Sequence, residues 1–202
     1  MRSAKRLPSL LSGIAIGVAT VAVVGARPSQ SQELAIQEQP GRVPNPQEER
    51  LPPAFQRQVV FYRTNEPPGT IIVDTVYRYL YLVQDNNRAI RYGMGVGREG
   101  FEWQGLLRVS RKAEWPAWTP TPELLRRQPS LPRSVPGGPG NPIGARVLYL
   151  GPTYQIHGTN QPQTIGQVVF AGCYRLANDD IIDLYGRVAV GTKVVVRQRP
   201  TL

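Results

Sequence analysis

The sequence holds a single cysteine, Cys173, and a single histidine, His157. A lone thiol has no internal partner, so no disulfide framework staples the chain. One cysteine and one histidine without further ligand spacing also exclude a zinc site, and neither a metal nor any other cofactor is expected. Acidic side chains are scarce as well: 14 Asp and Glu stand against 24 Lys and Arg, a formal balance of +10. Such a chain is drawn to polyanions of any kind, but no recognised binding motif accompanies the charge, and nucleic acid is not an expected partner. At 202 residues and 41% hydrophobic content the chain has enough apolar material for one core, and one domain of catalytic size is expected.

The N-terminus has the layout of a secretory signal. Arg2, Lys5 and Arg6 precede a mostly apolar stretch from Leu7 to Val24, followed by the small residues Gly25 and Ala26. Val24 and Ala26 fit the positions before a cut at Arg27, while a retained stretch of this length would act as a membrane tether. Residues 1–26 are accordingly assigned as a signal peptide or anchor, and the protein as exported to the periplasm or cell envelope. Their removal takes away three basic and no acidic side chains and lowers the balance from +10 to +7, which suits an anionic envelope. An oxidising compartment normally holds cysteines in pairs, so Cys173 has two readings there: a buried, inert thiol packed as a small hydrophobe, or a reactive one.

Residues 27–56 are rich in Pro, Gln and Glu without a hydrophobic period, and are expected to form a disordered linker ahead of a folded domain at 57–202. In that domain the β signals dominate: Val59 to Tyr62, Thr70 to Asp74, Tyr77 to Gln84, Arg88 to Val96 and Thr192 to Arg197 are rich in β-branched and aromatic residues. Asp85-Asn86-Asn87 reads as a hairpin turn. Two short helices interrupt the pattern. Thr121-Pro122-Glu123 provides a cap, a first-turn proline and an acid for a helix over Pro122 to Gln128, and Asn178 is expected to cap a second. Trp115 and Trp118 read as packing residues, and Lys112, Arg126, Arg127 and Arg133 as a solvated or polyanion-facing surface.

The histidine and the cysteine lie 16 residues apart, each beside a glycine, in Ile156-His157-Gly158-Thr159-Asn160 and Ala171-Gly172-Cys173-Tyr174-Arg175. A thiol of ordinary pKa is mostly protonated at neutral pH, and an imidazole within hydrogen-bond reach converts it to the nucleophilic thiolate. Gly172 leaves the backbone open to close approach, and amide groups near Cys173 are placed to stabilise an oxyanion. Taken alone, His157 reads equally as a satisfied imidazole at a strand end.

These residues resemble the signature of the L,D-transpeptidase catalytic domain, the YkuD family. The matching stretch begins at Gly138-Pro139-Gly140-Asn141-Pro142-Ile143-Gly144-Ala145-Arg146 and continues through His157-Gly158-Thr159-Asn160 and Ile165-Gly166. It then takes in Gly172-Cys173-Tyr174-Arg175-Leu176 and Asn178-Asp179-Asp180, and ends at Gly191-Thr192-Lys193-Val194. The resemblance implies a mainly β fold with short helices, a β-sandwich or mixed sheet whose cleft holds the Cys–His site. It implies acyl transfer on peptidoglycan stem tetrapeptides, with Cys173 as nucleophile, His157 as general base, Gly172 as oxyanion-hole backbone and stem peptides as donor and acceptor. A monomer is expected.

Arg175 has two readings, a bidentate partner for a substrate carboxylate or an ion-pair partner of Asp179 or Asp180. Gly158, Thr159 and Asn160 are candidates for substrate binding, and Thr159 and Asn160 serve as well for turn formation. Phe170-Ala171 departs from the Ser-His or Ser-x that many relatives carry before Gly-Cys, which alters the polarity of the site. Acceptors other than a stem peptide stay open, water (an L,D-carboxypeptidase) or a protein among them, as does a non-catalytic peptidoglycan-binding role.

Overall fold

The computed structural model describes residues 38–97, 103–169 and 174–198. Among the described residues twelve strands fall into two six-stranded sheets. The first sheet holds β1 (Gln58–Phe61), β2 (Ile71–Asp74), β3 (Tyr79–Gln84), β4 (Arg88–Gly93), β6 (Gly105–Arg108) and β12 (Lys193–Arg197), in the order β1-β4-β3-β2-β12-β6. The second holds β5 (Gly95–Gly97), β7 (Arg111–Glu114), β8 (Arg146–Leu150), β9 (Tyr154–His157), β10 (Val168–Val169) and β11 (Tyr174–Arg175), in the order β10-β5-β11-β9-β8-β7. Among the described residues two α-helices accompany them, α1 (Pro122–Arg127) and α2 (Asn178–Arg187).

The pattern of side chains explains the layering. In β3, Leu80 and Leu82 are buried while Tyr79 and Tyr81 are half-buried on the opposite face, the period-two dressing of a sheet with one core side. The outer tyrosines join a row in which Tyr62 stacks on Tyr81 at 4.3 Å and Phe55 lies 5.5 Å from Tyr79. In β2, Ile71, Ile72 and Val73 are all fully buried, as expected of a central strand between β3 and β12. Ile71, Leu80, Tyr92, Val194 and Val196 of the first sheet meet Val96, Leu148, Ile156 and Tyr174 of the second, and Ile181 and Leu184 of α2 extend the same core. The chain passes between the sheets at Met94, which is itself fully buried.

Local expectations held where local chemistry decides. Asn86 and Asn87 both have positive φ, 59° and 54°, the conformation a tight hairpin between β3 and β4 needs. Thr121 caps α1 by accepting from the Leu124 amide at 3.2 Å. The strand expected from Tyr77 starts instead at Tyr79, because Tyr77 and Arg78 turn the chain and Arg78 takes a φ of 60°. Lys112 is not a surface charge: its Nζ donates to the Tyr185 and Val188 carbonyls at 2.6 and 2.7 Å, completing the end of α2.

The largest difference concerns residues 38–56, expected to be part of a free linker. They are packed on the domain. Leu51 is buried and Pro53–Phe55 makes one 3-10 turn. Phe55 packs closely against two glycines: a Cβ on Gly93 would come 2.3 Å from the Phe55 carbonyl oxygen, and one on Gly166 would come 2.4 Å from its ring. A hydrophobic period is unnecessary when a few apolar anchors such as Leu51 and Phe55 are docked, so composition carries no signal for this packing. The expected signal or anchor and residues 27–37 lie outside the described residues. Among those described, no helix is long and apolar enough to cross a membrane.

Candidate active site

Three loops meet at one amide side chain. Asn178, expected as a helix cap, is the first residue of α2, and Ala177 holds the cap position without a side-chain bond. The Asn178 Oδ1 accepts instead from the Ala145 amide at 2.9 Å. A Cβ on Gly144 or Gly158 would come 2.3 or 2.4 Å from that oxygen, so both glycines are required by the close approach. The Gly158 amide donates to the Arg146 carbonyl at 3.1 Å. This knot fixes the turn that follows His157 at the end of β9.

His157 is 2% exposed. Its Nδ1 lies 2.6 Å from the Gly158 carbonyl oxygen, a contact that requires Nδ1 to carry the proton and donate. The same tautomer leaves the lone pair on Nε2, which is enclosed and has no hydrogen-bond partner among the described residues. Burial drives the imidazole pKa down to about 3, the Arg175 charge adds to the depression, and the Gly158 carbonyl opposes it. The ring is therefore neutral near pH 7, with one nitrogen held by the backbone and a lone pair on the other.

Arg175 lies beside it on β11, which runs parallel to β9 with Arg175 in register with His157. The residue is 3% exposed, and its guanidinium pairs with Glu38 at 2.5 Å, with Gln161 Oε1 a further 3.5 Å contact. Arg175 is thus ion-paired with Glu38, and the expected pairing with Asp179 or Asp180 is not the one formed. Asp180 faces Arg57 at 3.7 Å, and its own burial raises its pKa to about 6 against the pull of Arg57. The Asn160 amide donates to the carbonyls of Gln39, Arg42 and Gly140 at 2.8, 3.1 and 3.2 Å, holding residues 38–42 against the domain. Thr159 is buried and accepts from the Gln161 amide at 3.0 Å, an intraloop bond of the turn type. Cys173 and Gly172, with Phe170 and Ala171, lie outside the described residues.

A cleft of about 310 Å³ opens next to this site. Thr159, Pro162, Ala177 and Asp179 line one side, and Arg50, Leu51 and Arg57 another. The contribution of Glu38, Gln39 and Arg50 had no signal in the sequence beyond the presence of polar residues in a proline-rich stretch. Among the described residues no group of three His, Cys, Asp or Glu is arranged to hold a metal ion.

Two packed sheets that enclose a neutral imidazole of fixed tautomer at a strand end define a mostly β domain. Residues 68–196 match the family described as YkuD, L,D-transpeptidase catalytic domain. The chain belongs to that family. It is 41% identical over 140 residues to the "Probable L,D-transpeptidase ErfK/SrfK" of Escherichia coli strain K12, an alignment that covers 65% of this chain and 44% of that protein. The chain spans about half the length of the curated relatives it matches. Among solved structures, a Brucella melitensis chain described as a "Probable carnitine operon oxidoreductase caia" is 44% identical, with 74% of this chain and 98% of that one covered and a TM-score of 0.49. The Ldtfm-avibactam carbamoyl enzyme superposes with a TM-score of 0.52 at 20% identity, covering 67% of this chain and 51% of that one, a likeness of fold.

Proposed function

We propose that the protein is an L,D-transpeptidase that acts on peptidoglycan stem tetrapeptides through an acyl-enzyme on Cys173. The observation that carries this reading is the state of His157: neutral, oriented by the Gly158 carbonyl, with an enclosed Nε2 that has no partner among the described residues. That is the equipment of a general base for a nearby thiol. Nε2 takes the thiol proton as sulfur attacks the carbonyl of the third stem residue. Backbone amides at Gly172 and Cys173 hold the resulting oxyanion. Collapse breaks the amide bond to the terminal D-alanine, whose nitrogen recovers the proton from the imidazolium and leaves as the amine. An acceptor amine then attacks the thioester, giving its proton to Nε2 and releasing the thiolate, so the protons balance across the cycle.

Arg175 is the candidate receptor for a donor carboxylate, since a guanidinium offers paired donors to the two oxygens. The protein is exported in this reading, and residues 1–26 serve as its signal or tether. The test is incubation with a defined disaccharide tetrapeptide, with mass spectrometry of products and of the intact protein. A thioester adduct on Cys173, loss of D-alanine and a cross-linked dimer support the reading. Binding of the muropeptide without an adduct or D-alanine release in the wild-type protein would refute it and leave a peptidoglycan-binding role. A carbapenem supplies a second probe, since its strained lactam carbonyl is an activated amide. One equivalent is expected on Cys173 and none in Cys173→Ala.

A further inference from the structure

The Glu38–Arg175 pair is buried on both sides, each side chain 4% exposed. Desolvating two charges is offset only where the remaining lone pairs are also satisfied. Here they are not: Glu38 Oε2 is enclosed and has no hydrogen-bond partner among the described residues. A carboxylate fixed through one oxygen on a buried arginine is a poor structural element. It is a reasonable placeholder.

The segment that carries it is held lightly. Between Glu38 and Arg50 there is neither strand nor helix. Glu38 exchanges bonds with the Gln128 side chain, its amide donating at 3.2 Å and its carbonyl accepting at 2.9 Å. The Gly41 amide donates to the Gly140 carbonyl at 2.8 Å, and the Asn160 amide holds Gln39 and Arg42 as described above. These are isolated ties and not a ladder, the kind of attachment found at the low-stability end of a fold.

We propose that residues 38–50 are a displaceable strap, and that Glu38 is an internal competitor which occupies the Arg175 guanidinium until a substrate carboxylate replaces it. This rests on the reading of Arg175 given under Proposed function. The register of β11 on β9 adds a reason for an anion to be there in both states. The Arg175 charge beside His157 opposes protonation of the imidazole in the catalytic cycle, and a guanidinium left with no carboxylate would strengthen that opposition. The exchange keeps the site's charge constant while opening it. A strap closed ten to one lowers the apparent affinity for donor about tenfold, because only the open fraction binds.

The test uses the full chain and two measurements. The first is tetrapeptide turnover by wild type and Glu38→Gln. The variant is expected to show kcat/KM raised about tenfold through a lower KM, as removal of a competing closed state requires. The second is trypsin nicking after Arg42 and Arg50, mapped by mass spectrometry, in glutarate or in sodium chloride of matched ionic strength. Glutarate carries the carboxylate of Glu38 and nothing of the peptide. It is expected to accelerate nicking of wild type, and to lose that effect in Glu38→Gln. Glutarate-dependent nicking in a protein that turns over no tetrapeptide would leave the strap standing and remove the peptidoglycan reading. An active wild type with no gain in Glu38→Gln, or glutarate no different from chloride on wild type, overturns the strap.

Discussion

Replacing His157 with Asn tests the depressed imidazole by folding equilibrium alone, without a substrate. Burial and the neighbouring Arg175 charge lower the pKa from its ordinary 6.5 to about 3. The folded protein therefore binds this proton less readily than the unfolded chain. Between pH 6.5 and 3 the unfolded state carries more protons, so stability falls as the pH falls, by about 1.4 kcal/mol per unit. The loss accumulated at pH 5 is about 2 kcal/mol. Asp180 works in the opposite direction: burial raises it to about 6, the folded state keeps its proton longer, and its contribution improves as the pH falls from 6 toward 4. The quantity to measure is thus the difference between wild type and His157→Asn. The Asn amide can still donate to the Gly158 carbonyl but does not titrate. Urea unfolding at half-unit steps from pH 8 to pH 4.5 is expected to show a constant offset above pH 7. Below it the wild type loses the about 2 kcal/mol by pH 5 that the variant keeps. With one histidine in the chain, its NMR ring signal is identified without assignment. Parallel stability curves, or a ring that titrates near 6.5, would refute the account of His157 as a buried neutral base.

Further outcomes follow from named contacts. Asp180→Asn is expected to stabilise the protein at pH 8 by about 3 kcal/mol and to lose that advantage below pH 4, read from the same unfolding series. Asn178→Ala leaves the Ala145 amide without its acceptor and loosens the loop after His157. A loss of about 1–3 kcal/mol is expected in thermal or urea unfolding, together with a lower kcat. Gly93→Ala drives a methyl group into the Phe55 backbone and is expected to cost about 1–3 kcal/mol while increasing proteolysis near Gln56.

What was readable in the sequence divides by the range of the interactions. The hairpin at Asn86-Asn87 and the cap at Thr121 are local, and a few residues contain all the information they need. The two-faced strands were readable because period two is a property of neighbouring residues. The candidate base is proposed from chemistry, one histidine and one cysteine beside glycines. The role of Asn178 was missed because its partner, Ala145, is 33 residues away, and the local pattern of Asn followed by two Asp mimics a cap. The docked segment at 38–56 was missed for a related reason. Glu38 finds Arg175 across 137 residues, and Phe55 finds glycines whose importance is the absence of a side chain. No periodicity records such contacts.

The passage of the chain through Met94 has a consequence for how the molecule comes apart. β4 and β5 are separated by that one residue, yet β4 is paired inside one sheet and β5 inside the other. Slippage of either sheet must pull on the next, so neither is an independent foldon. Denaturation is expected to be all-or-none, with fluorescence and circular dichroism tracing one transition. Amides on both sides of Met94 would then exchange with solvent at the rate set by global opening.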